Sequence, residues 1–295
     1  MTPMQPSIVL DKSYLQRATR THVHALAASH RLLMSEALLY ELLSKSADYR
    51  RCFSKLPAVD NPVDIVWHVG GYLKREIEGH RRSPRPSSAK RDIDFRFNSR
   101  LLDENYVLPP EAADELERQR LDLVADIGTF KERALGMPGF FADVFIGSDD
   151  ARQAARSNAE ALIASAGSLL DFYAQLRAPK GLRRYPPRKL IDDSWAIYRW
   201  LQVQFLFALD LYARYGERLR EPMSAATLEK IEHDVLDAQY LLIGVLEGAF
   251  ASEERKLQRW FSLLRPDGLL LHAETDMDPD QPSHASPAVA ATDGG

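Results

Sequence analysis

The chain has 295 residues, of which 45% are hydrophobic and 27% charged, a composition typical of a globular protein with a sizeable core. Its formal net charge of -4 argues against a protein coated all over in positive charge, although a local basic patch is still compatible with nucleic-acid binding. The single cysteine, Cys52, excludes an intrachain disulfide and a cysteine-rich zinc site.

The sequence contains no sign of a targeting or membrane segment. The N-terminal residues lack a basic stretch followed by a long apolar one, and no run of about 18 apolar residues occurs. Together with the single cysteine, this predicts a cytoplasmic protein that is neither secreted nor embedded in a membrane.

The N-terminal part reads as two strand-helix units. Residues 8–10 form a short β-branched run that predicts a buried strand, and residues 13–29 predict an amphipathic helix. The pattern then repeats, with a strand over 32–34, an N-cap at Ser35 and a helix over 36–43. This is the opening of an α/β fold.

The middle of the chain has helical periodicity from about residue 62 to residue 186, and no convincing strand interrupts it. The stretch 80–92, rich in Arg, Pro and Ser, predicts an exposed loop. Residues 192–216 form a helix that is apolar nearly all round, which predicts a position in the core.

The C-terminal part returns to the α/β pattern. Ser224 predicts the cap of a last long helix, which is followed by a strand in "AFAS", a helix in "EERKLQRWFSLL" and a final strand in "GLLL". Residues 273–295 are acidic and rich in Pro, Ala and Ser, and predict a disordered tail because they carry little apolar surface.

Several acidic residues stand where an α/β sheet tends to place ligands. Asp11 follows the first strand directly, and the Ser252 to Glu254 element follows a late strand. Asp234 and Asp237 lie three residues apart on one helix face, and Asp237 borders a buried stretch in which an unpaired charge is costly.

Each acid also has a purely structural interpretation. Asp11 is suited to capping the next helix, and Glu253 and Glu254 to the first turn of theirs. Glu41 lies away from its helix N-terminus, so the helix dipole does not explain it, but a plain solvated glutamate is an equal alternative.

In this order, "LDKSYLQ", "MSEALLYELL" and "DVLDAQYLLIGVLEGAFASEERKL" resemble the PIN-domain ribonucleases, metal-dependent nucleases. The resemblance covers roughly residues 7–52 and 225–272 and places the family's acids on Asp11, Glu41, Asp237 and the Ser252 to Glu254 element. The clearest departure is "SEE" where the family usually has Thr-x-Asp, because Glu254 is one methylene longer than Asp.

The resemblance implies an α/β fold with a PIN-like central parallel sheet flanked by helices and a large all-helical insertion. Residues 1–60 and 191–272 are expected to form the two parts of the α/β domain, and residues 61–190 the insertion. Residues 273–295 are the predicted tail.

A carboxylate cluster of this kind suits a hard cation, so Mg2+ or Mn2+ is expected, positioned for attack of water on a phosphodiester. Asp11 and Asp237 are the expected principal ligands, with Glu254 as a weaker outer one. Glu41 and Asp234 are expected to bind the metal or to position water.

A nucleic-acid substrate also needs positive charge near the acids. The candidates in the sequence are a basic stretch with a tyrosine for base stacking, namely Arg183, Arg184, Tyr185, Arg188 and Lys189. The loop with Arg81, Arg82, Arg85, Lys90 and Arg91 is a second candidate, and for each a solvated charged loop is an equal alternative.

The leading hypothesis is therefore a PIN-like, Mg2+- or Mn2+-dependent endoribonuclease that hydrolyses RNA, with DNA, a regulatory protein partner and a homo-oligomer left open. One alternative is a catalytically impaired PIN-like protein that binds nucleic acid or regulates. Another is a mainly helical interaction scaffold in which the acids are caps and surface charges lying far apart.

Overall fold

The apolar runs at the two ends of the chain form a single parallel sheet in the computed structural model, which describes residues 5–44, 46–90, 102, 107, 109–176 and 184–273. Its five strands are β1 Ser7–Leu10, β2 Arg31–Ser35, β3 Asp64–Val66, β4 Ala249–Ala251 and β5 Leu269–Leu271. They lie in the order β3-β2-β1-β4-β5, and all neighbouring pairs are parallel.

The sheet is surrounded by α-helices, of which the described residues contain eleven. They are α1 Lys12–Arg17, α2 Arg20–Ser29, α3 Glu36–Ser44, α4 Ser46–Phe53, α5 Val69–Gly79, α6 Pro110–Phe140, α7 Asp149–Ala164, α8 Leu170–Gln175, α9 Ala196–Tyr215, α10 Ala225–Glu247 and α11 Arg255–Leu264. Within the described ranges, none of them combines the length and the apolar composition needed to cross a bilayer.

The central strand β1 is covered on both faces. Ile8, Val9 and Leu10 have no solvent-exposed surface, and Phe250 of β4 is equally buried. Such continuous apolar strands are expected in parallel sheets, because the crossover helices cover both faces. The mixed α/β fold predicted from the sequence is confirmed.

The order of the strands reverses beside β1. The chain passes from β1 to β2 and β3 on one side, and later returns to place β4 and β5 on the other. The backbone N–H of Asp11 donates to the carbonyl oxygen of Ala251 over 3.0 Å, so the ends of β1 and β4 meet. Ligands of open α/β sheets bind at such a switch point, outside the carboxyl ends of the strands.

Most element predictions near the ends of the chain are confirmed. The strand predicted over 32–34 is β2, and the strands predicted in "AFAS" and "GLLL" are β4 and β5. Ser35 Oγ accepts a hydrogen bond from the backbone N–H of Leu38 over 3.1 Å, and Ser224 Oγ accepts one from Thr227 over 3.2 Å. The predicted tail falls, except for Ala273, on residues 274–295, outside the described part of the chain.

Two element predictions are wrong. The helix predicted over 13–29 is divided into α1 and α2, because Thr19 caps a new helix by accepting a hydrogen bond from the backbone N–H of His22. The segment starting at residue 61 is not all-helical, since β3 pairs with β2 and forms an edge of the sheet. A run as short as "DIV" has no distinguishable periodicity, and its pairing with β2 decides its conformation.

The central helices pack directly on the α/β elements. Phe130 of α6 contacts Trp200 and Phe207 of α9, with ring centroids 5.8 and 6.3 Å apart. The fully buried carboxylate of Glu76 on α5 accepts hydrogen bonds of 2.9 Å from the first two backbone N–H groups of α9. The start of the core helix is thus fixed by a residue from the predicted insertion.

The contact between α10 and β4 leaves no room for a side chain at Gly244. A Cβ atom there would lie 2.7 Å from the buried ring of Phe250, whereas one at Gly128 in α6 would meet nothing within 4 Å. Both Gly→Ala changes gain helix propensity, but only Gly244→Ala overpacks the core. We expect its free energy of unfolding to lie about 1–3 kcal/mol below that of Gly128→Ala in urea titrations. Equal stabilities would contradict this packing.

Candidate active site

Asp11 occupies the carboxyl end of β1, where its side chain reaches across to β4. It stands at the N-cap position of α1, but its carboxylate makes no capping hydrogen bond. Instead, Oδ2 accepts hydrogen bonds from Ser13 Oγ and, over 2.7 Å, from Ser252 Oγ. Asp11 is only 2% exposed. The helix-cap interpretation therefore does not explain this side chain.

The two serines join the loops that follow β1 and β4. Ser13 Oγ also accepts a hydrogen bond of 2.9 Å from the backbone N–H of Glu253, and Ser252 Oγ accepts one of 3.1 Å from Glu254. Each hydroxyl thus accepts from one loop backbone while donating to Asp11. Ser13 was not among the predicted site residues, although a hydroxyl two residues after a strand-end aspartate was a usable signal.

The electrostatic environment of Asp11 disfavours its charge. Burial raises its pKa from 3.8 to about 6, against the opposing effect of the hydrogen bonds from Ser13 and Ser252, and the negative charge of Glu41 adds to the increase. An ionised Asp11 at neutral pH is therefore held at a free-energy cost in the folded protein.

Asp237 lies on α10 and is a second carboxylate with an unfavourable charge. Burial raises its pKa well above the usual value, the charge of Asp11 raises it further, and Lys256 partly offsets the increase. Its side chain is half-buried, and within the described residues no hydrogen bond or ion pair is found for it. When both are ionised, Asp11 and Asp237 therefore repel each other, which favours a proton on one of them.

Glu41 of α3 has the opposite environment. Oε1 lies 2.9 Å from Lys12 Nζ and 3.0 Å from His233 Nδ1, and Oε2 accepts a 2.6 Å hydrogen bond from Tyr240. Burial alone raises the pKa of Glu41, but the hydrogen bond from His233, the charge of Lys12 and the hydrogen bond from Tyr240 lower it to about 2. Glu41 is therefore buried and ionised.

Three residues around Glu41 and Asp11 recur at helical spacing on α10. His233, Asp237 and Tyr240 are spaced i, i+4 and i+7 on α10, so they share one face of that helix. This face is directed at the acids near β1, since two of the three contact Glu41 and the third interacts electrostatically with Asp11. A His, an Asp and a Tyr at this spacing were a detectable signal.

Asp234 and Glu254, the two remaining predicted acids, have different surroundings. Asp234 forms ion pairs with Arg214 and, over 2.6 Å, with Lys256, so its charge is balanced. Glu254 is exposed at the start of α11, and no contact of its carboxylate is found in the described part of the chain. Ser252, rather than Glu254, lies against Asp11. The ligand roles of Asp234 and Glu254 stay predictions.

The predicted basic stretch is only partly described, since Arg183 and its predecessors 177–182 lie outside the described residues. Arg184, Arg188 and Lys189 are exposed, and Arg188 pairs with Asp171 over 2.6 Å. Tyr185 is half-buried and packs on Tyr173, with ring centroids 5.9 Å apart.

The second predicted basic segment, residues 81–91, contacts the sheet through Lys90. Lys90 Nζ lies 2.6 Å from Asp64 Oδ1 at the start of β3, while Arg81, Arg82 and Arg85 are exposed. Arg91 lies outside the described residues. Nucleic-acid binding by either basic segment stays a prediction.

Comparison with known proteins gives no family to which the chain can be assigned: no family model, curated protein or solved structure matches it.

The raised pKa of Asp11 makes stability depend on pH. The folded-state pKa of about 6 lies above the usual 3.8, so stability falls as pH rises from about 4 to about 6. Without metal at pH 8, we expect Asp11→Asn to increase the free energy of unfolding by up to about 3 kcal/mol, and the gain to disappear near pH 4. Urea titrations at both pH values measure this, with the exposed Asp267→Asn as control. A gain independent of pH would contradict it.

Glu41 should have the opposite effect. Its folded-state pKa of about 2 lies below the usual 4.5, so its stabilisation is present above pH 4.5 and is lost as pH falls towards 2. At pH 7 we expect Glu41→Gln to lower the free energy of unfolding by about 3 kcal/mol. Glu78→Gln, which removes an exposed pair with Lys74, should cost less than about 1 kcal/mol. Equal losses in the two variants would refute the role of Glu41.

Proposed function

We propose that the protein is a PIN-like, metal-dependent nuclease that hydrolyses RNA phosphodiester bonds at the carboxyl ends of β1 and β4. The observation that carries the proposal is the pair Asp11 and Asp237, two mutually repelling carboxylates at the switch point of a parallel sheet. Perturbed carboxylates of this kind are typical of functional sites. The acids in PIN-like order along the sequence add support.

The carboxylates at this site suit a hard divalent cation that needs only one or two protein ligands. Among the described residues, no group of three or more His, Cys, Asp and Glu is arranged to hold a metal ion. Mg2+, however, usually keeps several waters and binds through only one or two carboxylates plus substrate phosphate. Asp11 and Asp237 would supply two such ligands, and a cation held by them would relieve the repulsion between their ionised forms.

A bound Mg2+ or Mn2+ supplies charge neutralisation at the phosphate and an activated water. The surrounding side chains prepare the carboxylates. Ser13 and Ser252 fix the orientation of Asp11 through its Oδ2 atom. Glu41, with a pKa of about 2, is a weak proton acceptor, so we assign it to the electrostatic organisation of Lys12, His233 and Tyr240 and not to general-base catalysis.

One alternative is also supported by a specific observation. Both oxygens of Glu41 are bound by neighbouring side chains and Glu254 is exposed, so two acids of the expected set are not free beside Asp11. This favours a catalytically impaired protein that binds RNA or regulates. A mainly helical scaffold with distant acids is less consistent with the five-stranded sheet and with the interaction of Asp11 with Asp237.

Cleavage of labelled single-stranded RNA tests the proposal. We expect the purified protein to cleave it with Mg2+ or Mn2+ and not with EDTA, and Asp11→Asn and Asp237→Asn to lower the rate more than about 100-fold. The exposed Asp267→Asn should retain the wild-type rate, and a single-stranded DNA of the same sequence defines the sugar preference. Equal cleavage by wild type and both site variants would overturn the proposal.

A second readout does not depend on turnover. Mg2+ should raise the unfolding temperature of the wild type, because it binds only the folded state, and should not raise that of Asp237→Asn. RNA binding without metal-dependent cleavage would favour the impaired alternative.

A further inference from the structure

A pocket rich in arginine lies at the C-terminal end of α9, opposite the start of α7. It has a volume of about 630 Å3 and is open to solvent. Four arginines and three aromatic residues line it, together with one acid; they are Arg152, Arg156, Arg214, Arg218, Phe145, Tyr212, Tyr215 and Asp149. We call it the arginine pocket. Its lining is therefore strongly basic in a protein whose net charge is -4.

Two of these arginines are held in place from behind. Arg156 pairs with Asp210 over 2.6 Å and with Glu160 over 3.1 Å. Arg214 pairs with Asp234 and, over 3.2 Å, with Asp210. Such pairs fix the two guanidinium groups in the wall of the pocket. Because these side chains are already ordered, they lose little conformational entropy when an anion binds to their remaining N–H groups.

The other two arginines are exposed and have fewer acidic partners among the described residues. Arg218 is exposed, and its only described hydrogen bonds are 3.4 Å contacts to the carbonyl oxygens of Tyr215 and Arg214. Arg152 pairs with Asp149, whose side chain is 91% exposed and thus strongly solvated. Both guanidinium groups are exposed; Arg218 can accept a phosphate directly, whereas Arg152 would exchange Asp149 for it.

The aromatic residues provide flat surfaces beside these charges. Tyr212 packs edge-on against Phe145, with ring centroids 4.7 Å apart, and the guanidinium of Arg214 lies 5.3 Å from the ring of Tyr215. All three rings are half-buried. Alternating cations and aromatic rings are what a single nucleic-acid strand needs, because its phosphates pair with arginine and its bases stack.

Ion pairs behind the pocket involve α10, the helix that also carries Asp237. Arg214 and Lys256 both bind Asp234, and the charge of Lys256 partly offsets the raised pKa of Asp237. The wall of the pocket and Asp237 are thus connected through residues of α10.

We infer that the arginine pocket binds single-stranded RNA, taking backbone phosphates at Arg152 and Arg218 and stacking a base on Tyr212 or Tyr215. The inference rests on the proposed function for the choice of RNA as the strand. It assigns substrate binding to α7, the end of α9 and the turn that follows α9, whereas the sequence pointed to residues 183–189.

Fluorescence anisotropy with a labelled 12-nucleotide RNA in EDTA tests this without cleavage. We expect Arg152→Ala/Arg218→Ala to weaken binding roughly tenfold or more and to reduce the slope of log affinity against log salt by about 1.4, twice 0.7. Tyr215→Leu should weaken binding roughly fivefold or more through lost stacking.

The matched control is Arg118→Ala/Arg120→Ala on α6. It removes the same charge from two exposed arginines that pair with acids three residues away, as Arg152 does. This control should bind RNA like the wild type. Equal weakening in the two double variants, no RNA binding by the wild type, or equally tight binding of a polyglutamate peptide would overturn the inference.

Hydrolysis of bis(p-nitrophenyl) phosphate, a small diester, separates the two proposals. If the wild type hydrolyses this diester and the pocket variants bind RNA normally, the RNA-binding role of the pocket is wrong and the nuclease activity is supported. If RNA binding depends on the pocket but neither RNA nor the diester is hydrolysed, the proposed nuclease activity is wrong and the RNA-binding site is supported.

Discussion

The parallel pairing of β1 with β4 is the constraint on which the rest of the structure depends. It joins residues about 240 positions apart through the hydrogen bond from the Asp11 backbone to Ala251, and it creates the switch point of the sheet. Because the strands are parallel, their carboxyl ends meet at one edge, and the side chains that follow them are brought together. Ser252 then reaches Asp11, and the two loops are fixed by shared hydroxyl groups.

This arrangement buries several acidic side chains, and they differ in how many cations and hydrogen-bond donors surround them. Glu41 has a lysine, a histidine and a tyrosine as partners, and Asp234 has two cations. Asp11 has hydrogen bonds from Ser13 and Ser252 but, among the described residues, no cation bound to its carboxylate, and an ionised Asp237 repels it. Ionising both of these acids in the folded protein costs free energy, and acids with such raised pKa values are typical of positions kept for binding or chemistry. The same ion-pair network continues from Asp234 to Arg214, and so into the arginine pocket.

Particular residues show which parts of the fold and the candidate site could be predicted from the sequence. The strand before Asp11 and the cap at Ser224 were predicted correctly, because each depends on a few neighbouring residues. The strand β3 was missed, since its three residues take their conformation from β2. The roles of Lys12 and His233 at Glu41 were also missed, because neither forms a local motif with it. The wall of the arginine pocket comes from α7, α9 and the residues that flank them, and no contiguous basic run in the sequence indicates it.

The sequence by itself determined the α/β character of the chain, the apolar strands at its two ends, the buried core helix α9 and the order of the acids along the chain. These follow from hydrophobic periodicity and capping, which act over a few residues. Only the tertiary structure decided which acids are compensated, since the protonation of Asp11, Glu41 and Asp237 depends on burial and on charges contributed by distant helices. A carboxylate has the same chemistry at every position in a sequence, and its surroundings give it a different pKa in the fold.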